Sequence, residues 1–354
     1  MIVGTVKEMM RNESRVGLDI ETVEELVKNG HTVLIEKDAG EASGILNEDY
    51  INAGAIVREK ASDVWQKANL IVKVKDPLKE EFQYFREDLT IFCYLHLAAN
   101  VPLIEKLLET KMTAIAFETI ETEDGELPAL KPMSAIAGRL SVIIGADYLR
   151  KSKGGREILM TGLSDVINTN SVIFGTGNVG TNALEVLVGF NTHITILDIN
   201  ENRLEQLKEK YKDRITVLKS TDENLEQAFI NADLVIGAAS IPGASTPKLI
   251  KRKYYKNMHK GSVIVDVAID QGGSTEVSRP TSHDDPTYIV DDIIHYCVPN
   301  IPGDVPLTST YSLNKGIFPY VLMLANNGIE RAIELSYALK KEVNVGKGKI
   351  VNKQ

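Results

Sequence analysis

The sequence predicts an α/β protein of two doubly wound parallel sheets, the second inserted into the first. Three observations carry that expectation. Short apolar runs alternate with helical patterns in two separate series; 354 residues exceed what one ordinary core holds; and a helical tail follows the second series with no strand left to complete. The expected boundaries are 1–130 and 305–354 for one discontinuous domain and 131–304 for the inserted one.

In the first series the runs are IVGTVKE (2–8), TVLIEK (32–37), LIVKVK (70–75), IFCYLHL (91–97) and MTAIAFE (112–118), each of strand length. Between the first two, LDIETVEELVKNG reads as a helix. Asp19 caps it, Glu21 adds a carboxylate near the positive end of its dipole, Val23, Leu26 and Val27 share one face, and Gly30 stops it. From about 132, MSAIAGRLSVIIGADYLRK extends as a connecting helix, and SKGGREILMTGLSDVINTN follows as a glycine-bearing loop. The second series has six runs: SVIFG (171–175), HITILD (193–198), ITVLK (215–219), DLVIGA (233–238), SVIVDVA (262–268) and TYIVDDIIHYCV (287–298), each read as one strand. The closing SLNKGIFPYVLMLANNGIERAIELS is helical again, with Pro319 expected to kink or break it, and returns to the first domain.

Composition narrows the function classes. With 43% apolar and 25% charged residues the chain is globular rather than disordered. A net charge of -9 without a Lys/Arg-rich run argues against nucleic acid as a partner. Two distant cysteines, Cys93 and Cys297, suggest neither a disulfide framework nor a cysteine metal site, so a reducing compartment is expected. The start, MIVGTVKEMMRNE, has no apolar signal core, and no apolar run reaches the roughly 20 residues of a membrane helix, so the expectation is cytoplasmic with no membrane partner.

VIFGTGNVGTNALEVL places Gly175, Gly177 and Gly180 directly after an apolar strand and at the opening of a helix. Such spacing also occurs in ordinary turns, so context decides. Gly175 permits a tight turn, Gly177 a close approach to a pyrophosphate and Gly180 close helix–strand packing, while the helix N-terminus offers N–H donors to phosphate. Asp198 closes the next strand, eighteen residues after Gly180, where a carboxylate accepts from the adenosine ribose and repels a 2′-phosphate. Six strands suit a complete Rossmann-like dinucleotide sheet, and NAD is the expected cofactor. Arg203, five residues on, either softens the exclusion of NADP or solvates a helix face.

Four charged or titratable residues need a common explanation: Arg15 in the loop KEMMRNESRVGL, Lys75 ending LIVKVKDP, His96 ending its strand, and Asp270 ending SVIVDVAIDQGG. Open α/β sheets place ligands at strand carboxyl ends, where three of the four fall. Each has a plainer reading as well. Arg15 suits a surface, Lys75 a sheet edge, His96 a satisfied core position, and Asp270 a turn before two glycines. As a set they suit an anion-binding acid–base site.

In order and spacing, KEMMRNESRVGL, LIVKVKDP, FCYLHLAAN, LPALKPMSAIAGR, FGTGNVGTNA, LDIN, VDVAIDQGGSTEVSRPT and VPLTSTYSLNK resemble the signature segments of the alanine dehydrogenase family over nearly the whole chain. The resemblance implies a discontinuous substrate domain with an inserted NAD domain, a homohexamer, and interconversion of L-alanine with pyruvate and ammonia. Arg15 and Lys75 would bind substrate, and His96 and Asp270 would be the acid/base pair. Ser134, Asn178, Val179, Asp198, Arg203, Ser220, Ala239, Ser240, Val267, Ala268, Ile269, Arg279 and the segment from Cys297 through Val298, Pro299, Asn300 and Ile301 would surround NAD.

Two segments depart from the family pattern. TGLSDVINTN lacks the expected Gly- and Pro-rich character, and Met323 and Asn327 stand where a carboxylate and a His would suggest a bound metal, so no metal is expected. Two other functions share these motifs: the NAD-binding part of a proton-translocating transhydrogenase, and an NAD-sensing protein without catalysis.

Overall fold

The computed structural model describes residues 1–351 apart from 98–99, 164 and 240–245. It divides into two compact units, Met1–Met133 with Val305–Gln354, and Ser134–Asp304.

The first unit starts with β1 (Ile2–Thr5), β2 (Thr32–Glu36), β3 (Ile56–Arg58), β4 (Leu70–Val72), β5 (Thr90–Cys93) and β6 (Thr113–Ala116), all parallel. The helix Ile20–Lys28 between β1 and β2 forms as its sequence predicts. Asp19 accepts Thr22 N–H at 2.9 Å, Val23 and Leu26 are buried, and Gly30 follows at φ 81°. Lys75 and His96 each lie three residues beyond their strands, not within them.

The second unit contains β7 (Asn170–Phe174), β8 (His193–Asp198), β9 (Thr216–Lys219), β10 (Leu234–Gly237), β11 (Val263–Asp266), β12 (Thr287–Val290) and β13 (Ile293–Tyr296), in the order β12-β13-β11-β10-β7-β8-β9. Seven strands replace the expected six because TYIVDDIIHYCV is a hairpin. Asp291 and Asp292 turn it at φ 49° and 62°, the paired left-handed conformations a two-residue hairpin needs, and β12 runs antiparallel to β13. Successive strand residues feed opposite cores. Ile173, Ile236 and Val265 pack with Leu184 and Leu187, whereas Phe174, Val235 and Ile264 pack with Phe229 and Tyr254. A sheet covered on both faces reads as unbroken apolar runs.

The tail returns to the first unit and adds β14 (Val343–Gly346) and β15 (Lys349–Ile350), giving the order β15-β14-β6-β5-β4-β1-β2-β3. Pro319 does not break the preceding helix, which runs from Pro306 to Asn327; the buried stripe Leu313, Ile317, Val321 and Leu324 holds it against its own unit. β1 lies between β2 and β4, so the direction of winding reverses there. Open sheets bind ligands at the strand carboxyl ends beside such a reversal. The loops after β1 and β4 carry Arg15 and Lys75, and the loop after β5 carries His96.

Candidate active site

Arg15 is not a surface arginine. It is 2% exposed, and its Nε and Nη2 donate to the two oxygens of Glu13 at 2.7 and 2.5 Å, while Nη1 points to Met133 Sδ at 3.2 Å. Burial raises Glu13, but the adjoining guanidinium outweighs it and holds the carboxyl below its ordinary value. The loop around Arg15 is pinned by the tail helix. Val16 N–H donates to Thr310 Oγ1 at 3.2 Å, and Asp19 N–H to Asn314 Oδ1 at 3.1 Å. Thr310 and Asn314 lie one helical turn apart on a buried face, a spacing visible in STYSLNK once the helix is known.

His96 stands on strained backbone at φ 46°, a left-handed conformation that side chains beyond glycine seldom adopt. The Glu118 carboxylate holds it there, accepting the N–H of His96 at 2.7 Å and of Leu95 at 3.0 and 3.1 Å. The ring is half exposed, and its Nδ1 lies 3.5 Å from Asp76 Oδ1. Asn100 Nδ2 fixes the other Asp76 oxygen at 2.9 Å. Burial raises Asp76, yet His96 and Asn100 together hold its carboxyl below the ordinary value. The first unit thus gathers Arg15, Lys75 and His96 beyond three adjacent strands, and Glu13, Asp76 and Glu118 support them. Glu13 and Asp76 escaped the sequence reading because each sits in a polar stretch that resembles solvated loop, whereas Glu118 closes the apolar run MTAIAFE and nothing local tied it to His96.

In the second unit β7 lies between β8 and β10, again a reversal, and the glycine loop leaves its carboxyl end. Gly175 adopts φ 102°. A Cβ at Gly180 would overlap the Gly175 carbonyl, so the helix can begin this close to the strand only with glycine there. The helix Asn178–Gly189 opens beside that loop with Gly177 as its cap. Asp198 reaches across from β8. Its Oδ2 accepts both the N–H and the hydroxyl of Thr176 at 2.6 Å, and Oδ1 accepts Asn200 N–H at 2.8 Å. Burial raises Asp198, but these bonds together hold it below its ordinary value. Glycine cradle, helix N-terminus and carboxylate form the donor–acceptor set that a dinucleotide's pyrophosphate and ribose require.

The remaining expected contacts distribute along the same sheet. Ser220 N–H donates to Asp198 O at 2.9 Å; Ala239 follows β10, and Val267, Ala268 and Ile269 follow β11. Val298 and Ile301 are buried, Pro299 and Asn300 partly so, and Asn178, Val179 and Ser134 lie in helices. Arg203 is exposed one turn into the helix after β8. Arg279 lies over the Tyr288 ring at 4.2 Å. Ser240 lies outside the described residues.

Asp270 is exposed in the turn Val267–Gln271, not on the strand, which ends at Asp266. Asp266, fully buried, ties that turn down by accepting Ser274 N–H at 2.8 Å and the Ser278 hydroxyl at 2.5 Å.

Comparison with known proteins agrees in both units. The N-terminal domain of the family described as alanine dehydrogenase/PNT matches residues 4–137, and its C-terminal domain matches residues 141–353. Alanine dehydrogenase of Methanococcus maripaludis is 46% identical over 351 residues, covering 99% of this chain and 94% of that one. Its counterpart in Staphylococcus saprophyticus is 45% identical over 354 residues, 100% and 95% of the two chains. A solved L-alanine dehydrogenase matches with TM-score 0.96 and 45% identity over 99% of this chain and 97% of that one. A transhydrogenase from Sinorhizobium meliloti, 22% identical with TM-score 0.85 over 99% and 100% of the chains, shares the fold. With both domains matched and whole-length identities of 45 and 46%, the chain belongs to the alanine dehydrogenase/PNT family.

Proposed function

We infer that the protein catalyses the reversible NAD-dependent oxidative deamination of L-alanine to pyruvate and ammonia. The observation that carries this reading is the juxtaposition of Arg15, Lys75 and His96 beyond β1, β4 and β5 in a chain whose alanine dehydrogenase relatives match it end to end. The unit Met1–Met133 with Val305–Gln354 is the substrate domain, and Ser134–Asp304 is the NAD domain.

Arg15 holds the substrate carboxylate with its planar fork, which Glu13 orients, and Lys75 adds a compact positive charge. Gly175, Gly177 and Gly180 receive the pyrophosphate and Asp198 the ribose, with Ser134, Ser220, the 267–269 turn and the 298–301 segment around the rest of NAD. Bound NAD supplies the acceptor for the hydride that leaves the α-carbon. Hydride loss from the neutral amino form leaves an iminium; water attacks it and one of the water's protons passes to the nitrogen, giving a carbinolamine whose protonated amino group can leave as ammonia. His96, its Nδ1 turned to Asp76, takes the hydroxyl proton at Nε2 as ammonia departs and the pyruvate carbonyl forms. Asp270 holds the ammonium or the attacking water. In reverse, His96 returns the proton and polarises the ketone oxygen.

The test is NADH absorbance with L-alanine and NAD, and separately with pyruvate, ammonium and NADH. Equal rates with NADP would defeat the NAD assignment, NADP-dependent exchange without ammonia would point to a transhydrogenase-like subunit, and nucleotide binding without turnover would point to a sensor. A homohexamer in the cytoplasm belongs to the same proposal. Among the described residues no helix is long and apolar enough to cross a membrane. Sedimentation of a 39.0 kDa monomer at micromolar concentration would contradict the hexamer.

A further inference from the structure

A buried acid lies behind Lys75. Glu8 belongs to the loop leaving β1, and its side chain is 2% exposed. Its Oε1 accepts the main-chain N–H of Val74 at 2.7 Å and of Lys75 at 3.3 Å. Its Oε2 stands 3.6 Å from Lys73 Nζ, itself 1% exposed and bonded to Glu81 Oε1 at 2.5 Å. The strand β4 has ended at Val72, so a carboxyl group from the neighbouring loop, in place of a strand, receives these N–H groups. One side chain therefore joins the loop that bears Arg15 to the loop that bears Lys75. Burial pushes Glu8 up to about 7, with Lys73 and the Val74 N–H pulling the other way. Protonated or ionised, Oε1 keeps a lone pair for its donors.

We propose that Glu8 is a positioning residue for substrate binding, fixing the main chain at Val74 and Lys75 so that the lysine meets the carboxylate of a small 2-oxo or 2-amino acid together with Arg15. The proposal rests on the reading that Lys75 binds substrate. Its contribution is reach, not charge: Lys73 already has Glu81, whereas Val74 and Lys75 N–H depend on where the Glu8 oxygen stands.

Two conservative variants separate reach from charge. Glu8→Asp keeps the carboxylate beside Lys73 but draws its oxygens back by roughly one bond length, about 1.5 Å. Glu8→Gln keeps an oxygen in place and removes the charge. Because losing a hydrogen bond to a charged group costs on the order of 10–100-fold in binding, Glu8→Asp is expected to raise KM for pyruvate at least about tenfold. Since only binding is affected, kcat and the NADH dissociation constant stay within about threefold, and Glu8→Gln stays within about threefold in all three quantities. An unchanged KM in Glu8→Asp, or a loss in Glu8→Gln as large as in Glu8→Asp, overturns the proposal. Lys75→Ala is measured alongside. If it leaves KM for pyruvate unchanged, the substrate role of Lys75 fails and the positioning role with it; if it raises KM while Glu8→Asp does not, the positioning role alone fails.

Discussion

Replacing Asp198 by Ala tests how the glycine loop and the proposed ribose site are coupled. The carboxylate accepts three bonds within the protein, two of them from Thr176, which is 4% exposed between Gly175 and Gly177. Asn200 N–H can turn to water in the variant. Thr176 N–H cannot, and a buried donor left unsatisfied costs about 1–3 kcal/mol. That cost falls on the nucleotide-binding conformation whichever cofactor arrives, and corresponds to roughly 5–150-fold in affinity. NADH also loses its charge-assisted ribose bonds, worth about 1.5–3 kcal/mol, whereas NADPH is relieved of repulsion. The expected outcome in fluorescence titration is a large loss for NADH, a smaller change for NADPH and a narrower gap between them. Asp198→Asn, whose amide oxygen still accepts from Thr176, should lose less than Asp198→Ala for NADH. Asp198→Ala binding NADH within about twofold of wild type, below the smallest of these costs, would refute the coupling.

Three further outcomes follow from other parts of the molecule. His96→Ala should lower kcat by about 10²–10⁴-fold while NADH affinity stays within about threefold; single-turnover rates retaining more than about a tenth of wild type would return His96 to a packing role. His295 is fully buried on β13, ring against the Tyr288 ring, and burial pushes it down from 6.5 to about 4. The unfolded chain therefore binds this proton first as pH falls through 6.5, and stability present above that value is lost toward 4, amounting to about 2 kcal/mol at pH 5. His295→Phe should remove that part of the acid sensitivity. Equal losses between pH 7.5 and 5 in urea unfolding followed by circular dichroism would count against it. Cys93 and Cys297 are buried free thiols, the second pushed up to about 12 chiefly by burial, so both should resist a thiol reagent at pH 8 until the protein is unfolded. Rapid labelling of either in native protein would show that its cover opens.

The two-sheet architecture was legible because strands buried on both faces leave continuous apolar runs, and IVGT, IFC, SVIF and LVIG all do so. What escaped was short or peripheral. β3 offers only Ile56–Arg58 at a sheet edge, β14 and β15 follow a helical stretch, and the β12–β13 turn is made by two aspartates where glycine or asparagine is the usual signal. Lys75, His96 and Asp270 stood out by residue type near strand ends, and Arg15 by its place in the polar loop after the first strand. Their supports did not, since Glu8 meets Val74 across 66 residues and Glu118 meets His96 across 22, and nothing local separates a buried carboxylate from a solvated one. Lys73 did leave a trace: a lysine interrupting an otherwise buried run calls for a buried anion.

The contacts between Val16 and Thr310 and between Asp19 and Asn314 span 294 and 295 residues. During synthesis the chain that will carry Arg15 emerges first, yet its anchors emerge only after the whole of Ser134–Asp304 has been made. The inserted unit has every strand of its own sheet by then and can close its cores as one body. The N-terminal segment must wait, with the Arg15 loop unanchored, until the tail helix arrives. Order of emergence and order of completion can therefore be reversed: the inserted unit can close while the unit that emerged first is still unfinished.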